Sequence, residues 1–144
     1  MRTDAHLYFS EAQAFTIDAY ATNKLDLIAS GALSGGRPMS VFIRVDVAAS
    51  HADNDETYEF QVRTDGDEAF GSPTTLITEP ILYSVLAADT LYEIPIPQQM
   101  EFERYMAVYF NGGGTTPTLT ATIWLGESGS LPSLRKYPQG SNAA

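Results

Sequence analysis

Cysteine is absent from this chain of 144 residues. Its absence excludes a disulfide framework and any zinc site built from thiolates, so stability must come from packing or from association. Long apolar runs are also missing, since none approaches the ~20 residues that a membrane-spanning helix needs. In the opening stretch "MRTDAHLYFSEAQ", Asp4 and Glu11 interrupt the apolar segment that a signal peptide requires. We therefore predict a soluble chain with no membrane partner and no classical export signal.

Basic residues are few, because 8 Lys and Arg stand against 18 Asp and Glu, for a formal net charge of −10. A chain of this charge repels phosphate backbones and anionic lipid head groups. The charge therefore predicts no nucleic-acid partner. The length suits one domain with one hydrophobic core.

Residues that carry catalysis are scarce. The two histidines are His6 and His51, and nothing in the sequence places either beside a nucleophile. The segment "GESGS" from Gly126 lacks the second glycine of a hydrolase elbow, and "NGGGTTP" lacks the Gly-Lys-Ser/Thr ending of a phosphate-binding loop. The sequence predicts no enzymatic activity, no catalytic residue and no cofactor.

Acidic residues cluster in two polar loops, "HADNDETYE" and "TDGDE". Calcium takes carboxylate oxygens as ligands, but neither loop follows the EF-hand pattern. We interpret them as solvated acidic loops and assign no metal site, while a structural calcium site stays open as the alternative. The acidic residues concerned are Asp53, Asp55, Glu56, Glu59, Asp65, Asp67 and Glu68.

Apolar residues recur with the period of β-strands. In "FSEAQAFTIDAYATNKLDL", from Phe9 to Leu27, they recur at every second position, which excludes a helix and predicts two strands with a kink near Thr22–Lys24. "RPMSVFIRVDVAA" alternates more cleanly and predicts a strand with one core face and one mostly wet face. The predicted core face holds Met39, Val41, Ile43, Val45 and Val47, and the other face holds Ser40, Phe42, Arg44 and Asp46.

Further short segments bring the count to eight or nine strands: "TYEFQVRT", "TTLIT", "ILYSVL", "LYEIPIP", "RYMAVYF" and "TLTATIWL". The best candidate for a helical turn is "PQQMEFERY". Residues 1–125 are therefore predicted to form one all-β domain, an antiparallel jelly roll or β-sandwich, with a barrel as the alternative. Pro95 and Pro97 predict that "EIPIP" lies at a sheet edge or leaves the sheet, as a partner's binding place or a protected edge.

The last segment, residues 126–144, changes in character. Gly, Ser and Pro dominate it, the β-period stops, and Arg135 and Lys136 stand beside Leu131, Leu134 and Tyr137. This composition predicts an extended C-terminal arm. Two interpretations stay open, namely an arm that orders on a neighbouring subunit and a disordered end without a role.

Aromatic residues are the remaining resource for binding. The single Trp, Trp124, falls on the more polar face of the last strand with Thr118, Thr120 and Thr122, which predicts an exposed ring. An exposed Trp and several Tyr would stack on sugar rings or anchor a protein interface. A carbohydrate-binding, lectin-like jelly-roll module is therefore one function that stays open as an alternative. The fold by itself does not decide between sugar binding and protein binding.

Four segments together cover most of Phe9 to Leu125: "FSEAQAFTIDAYATNKLDL", "PMSVFIRVDVAA", "FQVRTDGDEAFGSPTTL" and "RYMAVYFNGGGTTPTLTATIWL". In this order they resemble segments of tailed-phage capsid cement proteins of the Bordetella-phage type. The resemblance implies a jelly-roll decoration protein without catalytic activity. It would lie on the outer surface of the virion capsid after synthesis in the host cytoplasm, and clamp neighbouring major capsid proteins. Self-association as a homodimer is implied, and the long arm makes a homotrimer the alternative.

Interface residues are predicted in two places. The opening stretch contributes Phe9, Phe15 and Tyr20, although a place in the core explains the two Phe residues equally well. The arm contributes Leu134, Arg135, Lys136 and Tyr137. These residues combine the apolar and basic side chains that an acidic protein needs for contact with a partner.

Overall fold

A computed structural model gives the fold and describes residues 7–16, 18–28, 30–32 and 38–128. Within these residues the chain forms eleven strands and one 3₁₀ turn, Tyr83–Val85. No helix in this part of the chain is long and apolar enough to cross a membrane. The strands are β1 (Tyr8–Phe15), β2 (Ala19–Tyr20), β3 (Leu25–Asp26), β4 (Gly31–Ala32), β5 (Met39–Val47), β6 (Thr57–Asp65), β7 (Thr74–Ile81), β8 (Leu91–Ile96), β9 (Glu101–Phe102), β10 (Tyr105–Gly113) and β11 (Leu119–Glu127).

Two antiparallel sheets make up a β-sandwich. The first sheet has the order β1-β11-β5-β8, and the second has the order β2-β10-β6-β7 with β3 also paired to β10. Each sheet therefore places strands side by side that are distant in sequence, which is the Greek-key arrangement of a jelly roll. The predicted fold class is confirmed. The short strands β4 and β9 pair separately.

The opening stretch contributes to both sheets. β1 pairs with β11 in the first sheet, and the chain then crosses to the second sheet, where β2 and β3 both pair with β10. The stretch was predicted as two strands, but it forms three, because the chain also leaves the first sheet after Phe15. The predicted kink lies between β2 and β3, at residues 21–24. The Gln13 carboxamide oxygen accepts hydrogen bonds from the Thr22 amide and hydroxyl, which fastens the kink to β1.

The core lies between the two sheets. Val41, Ile43 and Val45 of β5 are buried there, as their alternation predicts, and Arg44 is exposed on the opposite face. The prediction that the other face is mostly wet is wrong for Ser40 and Phe42, which are both fully buried. The Phe42 ring stacks on Trp124, with 5.7 Å between ring centroids. Rings that cover each other remove apolar area from water even outside the central core.

Three phenylalanines from three strands meet at the centre of the sandwich. Phe15 lies 5.8 Å from Phe60 and 5.3 Å from Phe110, and Phe60 lies 5.4 Å from Phe110, measured between ring centroids. The contacts join β1 of the first sheet to β6 and β10 of the second. The opening stretch is thus fixed to both sheets. Tyr20, in β2 of the second sheet, is half-buried.

Two local predictions are wrong. "ILYSVL" was predicted as a strand, but only Ile81 belongs to one, and Tyr83–Val85 form the 3₁₀ turn. "PQQMEFERY" was predicted to hold a helical turn, but it forms a turn closed by a hydrogen bond from the Met100 amide to the Pro97 carbonyl, followed by β9. Short apolar or polar runs do not by themselves specify an element type.

The position of the two prolines is as predicted. Pro95 lies in β8, the edge strand of the first sheet, and Pro97 lies just beyond its end. The Tyr92 hydroxyl of β8 donates a 2.5 Å hydrogen bond to the Glu79 carboxylate of β7, the edge strand of the second sheet. This contact joins the two sheets along that side of the sandwich.

Candidate protein interface

A cluster of rings and cations lies on the outer face of the second sheet. On β6, Tyr58, Phe60 and Val62 are buried in the core, so the alternating Arg63 points to the opposite face. Tyr109 of β10 and Tyr20 of β2 are paired across strands and their ring centroids lie 4.9 Å apart. We call Tyr20, Lys24, Arg63, Phe70 and Tyr109 the Tyr20 platform.

Arg63 is the centre of the Tyr20 platform. Its guanidinium carbon lies 3.9 Å from the Tyr109 ring centroid, and its Nη1 donates a 3.0 Å hydrogen bond to the Tyr20 hydroxyl. Nε and Nη2 both donate to the Gln61 carboxamide oxygen, at 2.9 and 2.6 Å. A guanidinium held by a ring and three hydrogen bonds has little rotamer freedom left to lose on binding.

The rim of the platform adds a second cation. The Lys24 ammonium lies 5.2 Å from the Tyr20 ring centroid and 5.6 Å from that of Phe70. Phe70 comes from the β6–β7 loop and lies 5.4 Å from the Tyr20 ring. The distances from the Lys24 ammonium to the two rings both fall within the range of cation–π attraction. Four separate segments of the chain thus converge on Tyr20.

The charge of the described residues makes these cations unusual. Seventeen of the 18 acidic residues lie in the described part of the chain, against four of the eight basic ones. Of those four, Arg104 pairs with Asp26 and Arg44 pairs with Asp46. The other two, Lys24 and Arg63, both belong to the Tyr20 platform. The platform is therefore the place on the described surface where aromatic area and unpaired positive charge coincide.

A second surface lies at the end of the sandwich formed by the β5–β6 and β7–β8 loops. Four large apolar residues are exposed there: Val47, Leu82, Tyr83 and Val85, with Leu82 at 73%. We call these four residues the apolar end. They come from the end of β5 and from the region of the 3₁₀ turn. The Ala49 amide, after β5, donates a 2.9 Å hydrogen bond to the Leu86 carbonyl, after the turn, and so joins the two segments. Four exposed large apolar residues on two hydrogen-bonded segments indicate a contact site.

A cavity of about 490 Å³ opens beside the apolar end. Tyr58, Pro80, Ile81 and Leu82 supply most of its apolar wall, and His51 and Glu56 lie at its polar side. The His51 ring stacks on Tyr83 with 3.6 Å between centroids and an interplanar angle of 4°. The volume is that of a site for a small ligand or for side chains of a peptide.

His51 lies beside one carboxylate. Its Nδ1 has no hydrogen-bond partner among the described residues and lies 3.7 Å from the Glu56 carboxylate. The hydrogen bonds described for His51 include none with a hydroxyl nucleophile, which nucleophilic catalysis requires. His6 lies outside the described residues.

The first acidic loop is hydrogen-bonded to the neighbouring β10–β11 loop. We call Asp53, Asp55, Glu56, Thr115 and Thr116 the acidic clip. The Asp53, Asp55 and Glu56 carboxylates come within 4.8 Å of one another. The Thr115 hydroxyl and amide donate to Asp55, at 2.7 and 3.1 Å, and the Thr116 hydroxyl donates to Asp53 at 2.7 Å. These hydrogen bonds tie the β5–β6 loop to the β10–β11 loop.

The clip keeps its carboxylates ionised. The hydroxyl and amide of Thr115 lower the pKa of Asp55. Burial of Glu56 favours its neutral form, but hydrogen bonds from its own amide and those of Thr116 and Asp53 outweigh burial and lower its pKa. Donors of the protein thus already satisfy the charges that a calcium ion would otherwise balance.

The second acidic loop is also internally satisfied. Asp65 accepts hydrogen bonds from the amides of Asp67 and Ser72, and Asp67 accepts one from the amide of Ala69. These are the side-chain-to-backbone bonds of Asx-type turns. The loop therefore positions Phe70 for the Tyr20 platform, and Asp65 and Asp67 have a structural explanation.

Trp124 corrects the expectation of an exposed ring. It does lie on the outer face of the first sheet, but only 3% of it is accessible. Phe42 stacks on one part of it and Tyr8 lies 5.9 Å away. A ring enclosed in this way is not free to stack on a sugar. The observation that most favoured a carbohydrate-binding module is thereby removed.

The predicted interface residues fall into three groups. Phe9 and Phe15, with 0% and 1% exposure, lie in the core, which was the alternative explanation for both. Tyr20 lies half-buried on the surface at the centre of the platform. Leu134, Arg135, Lys136 and Tyr137 lie outside the described residues, and β11 continues to Glu127, into the predicted arm. The apolar end was missed, because Leu82, Tyr83 and Val85 were assigned to a strand and Val47 was assigned to the core face of β5, although it is 58% exposed.

Comparison with known proteins gives one informative result. A family model described as Bbp16 matches residues 9–124. No curated protein matches the chain. A solved structure titled "Crystal structure of PirA" is similar with a TM-score of 0.41 and 14% sequence identity, over 79% of this chain and 92% of that one. Likeness at that level supports no conclusion about function.

Proposed function

Because the chain belongs to the Bbp16 family and is a protein of the Bordetella-phage type, we propose that it is a capsid decoration protein. In this role it binds the outer surface of the assembled head and bridges neighbouring major capsid proteins, without catalytic activity. Its place is then the virion, after synthesis in the host cytoplasm.

The Tyr20 platform is the observation that carries the proposal. Tyr and Arg are the residue types that dominate binding energy at protein interfaces, especially where they are held rigidly. Tyr20, Arg63 and Tyr109 satisfy both conditions, since the ring-to-ring and guanidinium contacts fix their orientation before any partner arrives. The prediction of an interface at Tyr20 is kept and extended to its neighbours.

Capsid symmetry makes a modest platform sufficient. A shell presents many identical copies of one surface, so a symmetric oligomer engages several equivalent sites at once and gains avidity. A ligand that binds only the assembled shell stabilises it relative to its separated subunits. A small β-sandwich without an active site is enough for this work.

The charge of the chain supports the same role. A formal net charge of −10 disfavours binding to the genome that is packaged inside the shell. The platform carries Lys24 and Arg63, two of the four basic residues in the described part of the chain. The platform is therefore the surface best suited to an acidic partner.

The test is co-sedimentation of the purified protein with undecorated capsids of its own phage, both expanded and unexpanded, at low and high salt. We expect saturable binding at a fixed ratio to the capsid protein. Tyr20→Ala should weaken it by about tenfold or more, equivalent to ~1–2 kcal/mol for the loss of an interface anchor. Tyr8→Ala, which removes a half-buried tyrosine from the outer face of the other sheet, is the matched control.

Absence of binding to both kinds of shell would reject the capsid role. If Tyr8→Ala and Tyr20→Ala weaken capsid binding equally, the capsid role is kept, but the Tyr20 platform is rejected as the contact surface. In the first case a glycan array, with and without calcium, is the next measurement, because it tests the carbohydrate-binding alternative directly.

A further inference from the structure

The apolar end and its cavity have no part in the proposed capsid contact. They lie at the loop end of the sandwich, whereas the Tyr20 platform lies on the outer face of the second sheet. A half-open apolar cavity of about 490 Å³ beside a 73%-exposed leucine is costly to leave in water. Some apolar group is expected to cover it.

The surroundings of the cavity define the chemistry of its occupant. Glu56 lies at the cavity wall, and Asp53 and Asp55 lie in the same loop. None of the four basic residues in the described part of the chain lines the cavity. The site therefore suits a segment that combines apolar side chains with positive charge.

The chain contains such a segment. Residues 134–137, "LRKY", place Arg135 and Lys136 between Leu134 and Tyr137. The segment carries two of the eight basic residues of the chain and lies within residues 129–144, which contain no acid. Leucine and tyrosine would supply the apolar anchors, and the charge of the two cations is opposite to that of the predominantly acidic described chain.

Reach decides which copy of the chain the segment can enter. The Ser128 amide is bonded to the Pro38 carbonyl, beside the start of β5, and the cavity lies past the end of β5. Met39–Val47 spans roughly 26 Å, and crossing from one sheet to the other adds about 10 Å in a perpendicular direction. Leu134 is six residue steps from Ser128, and six extended residues reach ~21 Å at most, whereas the nine steps to Tyr137 reach ~32 Å. Leu134 therefore falls short of the cavity of its own chain, and only a second copy can take the whole segment Leu134–Tyr137.

We propose that Leu134–Tyr137 of one copy bind in the cavity beside the apolar end of a second copy, so that copies associate by exchanging C-terminal arms. The contact does not involve the Tyr20 platform and does not depend on the capsid role. In this proposal the segment Leu134–Tyr137 occupies the cavity, and the binding partner of the C-terminal arm is a second copy of the chain.

The absence of cysteine allows a direct test by disulfide trapping with full-length protein. Two variants, Leu82→Cys and Leu134→Cys, are prepared separately with different tags and mixed under mild oxidation without capsids. Because docking holds the two thiols at a high local concentration, we expect a mixed disulfide dimer to form about 100-fold faster than between undocked thiols. Ile28→Cys is the matched control partner for Leu134→Cys, since Ile28 is an apolar residue with 77% exposure at the opposite end of the sandwich.

Each outcome decides the proposal. A mixed dimer with Leu82→Cys well above the Ile28→Cys level supports exchange of arms. Equal rates for both pairs overturn it. A chain carrying both Leu82→Cys and Leu134→Cys is also examined at high dilution, where an intrachain disulfide would show that the arm reaches its own cavity and would overturn the exchange.

A second measurement uses charge and leaves the cavity intact. Arg135→Glu with Lys136→Glu should abolish the trapping with Leu82→Cys and lower the sedimentation coefficient of the full-length protein at low salt. Unchanged trapping in this variant would show that charge does not guide the arm. Loss of trapping with unchanged capsid sedimentation would separate this contact from the proposed function.

Discussion

The guanidinium of Arg63 lies over the ring of Tyr109, with 3.9 Å between the guanidinium carbon and the ring centroid. Arg63 and Tyr109 belong to the adjacent strands β6 and β10, and Ala107 is the register partner of Arg63. The small side chain of Ala107 leaves room for the guanidinium to lie flat along the sheet and reach Tyr109. A rigid cation on an aromatic surface is thus built into the strand pairing.

Arg63→Lys is expected to weaken binding to capsids severalfold, although it keeps the charge. An ammonium neither stacks flat on Tyr109 nor donates to Gln61 and Tyr20 together. Binding is measured by co-sedimentation with expanded capsids. Arg44→Lys is the matched control, because Arg44 lies on the outer face of the other sheet, where it pairs with Asp46. A similar loss in both variants would mean that the stacking at Tyr109 does not matter for binding.

Asp26→Asn is expected to lower stability at neutral pH and to remove part of its dependence on acid pH. The hydrogen bond from Arg104, and then that from the Ile28 amide, lower the pKa of Asp26 to about 2 from an ordinary value of 3.8. Since the folded pKa lies below the unfolded one, this stabilisation is present above about pH 4 and disappears as the pH falls through about 2.

The free energy of urea unfolding is compared for the two proteins between pH 7 and pH 2. Asparagine keeps an oxygen that can accept from the Ile28 amide, so the difference isolates the ion pair with Arg104. The two stability curves should converge toward pH 2. If the difference in unfolding free energy between the two proteins stays constant from pH 7 to pH 2, Asp26 does not titrate as inferred.

Tyr92→Phe tests the contact that joins the edge strands of the two sheets. Burial first, and then the hydrogen bond to Glu79, raise the pKa of Tyr92 to about 12 from an ordinary value of 10. The raised pKa means that the contribution of Tyr92 is complete below pH 10 and is lost as the pH rises toward 12. The free-energy difference between the proteins should therefore shrink between pH 10 and pH 12.

The measurement is denaturant unfolding across that pH range, with the ultraviolet absorbance of ionised tyrosine followed in parallel. Tyr105→Phe serves as control, since Tyr105 is also half-buried but lies outside this contact. If the variant and the parent lose stability in parallel between pH 10 and pH 12, the Tyr92–Glu79 contact does not link the sheets energetically.

The fold was predictable because alternation is a local property. Burial of Val41, Ile43 and Val45 follows from a period of two, and a chain of short alternating strands has few ways to cover its apolar faces. The turn at Tyr83–Val85 was not predictable in the same way. An apolar run such as "ILYSVL" is typical of a buried strand, but here only Ile81 and Leu86 at its ends are buried, and residues 82–85 between them are exposed.

The candidate interface was predictable only at Tyr20. Arg63, Phe70 and Tyr109 are 43 or more residues away from it in sequence, and strand pairing brings them together. One sequence contains no information on which strands pair or in what register, so the platform could not be assembled from it. The same holds for the acidic clip, where Thr115 and Thr116 are distant in sequence from the carboxylates that they contact.

Calcium is expected to leave the stability of the protein unchanged. The carboxylates of Asp53, Asp55 and Glu56 already accept hydrogen bonds from Thr115 and Thr116, and a bound ion would have to displace these donors. A ligand stabilises a fold only when it binds the folded state in preference to the unfolded one. The midpoint of thermal unfolding should therefore be equal in excess calcium and in chelator.

Thr116→Val provides the complementary measurement on the clip. Valine keeps the shape of the side chain but removes the hydroxyl that donates to Asp53 and Glu56, so the free energy of unfolding should fall. Removal of this donor also frees carboxylate oxygens. If calcium stabilises Thr116→Val but not the parent protein, the clip is a cation site closed by its own threonine, and stabilisation of both would establish a calcium site in the native chain.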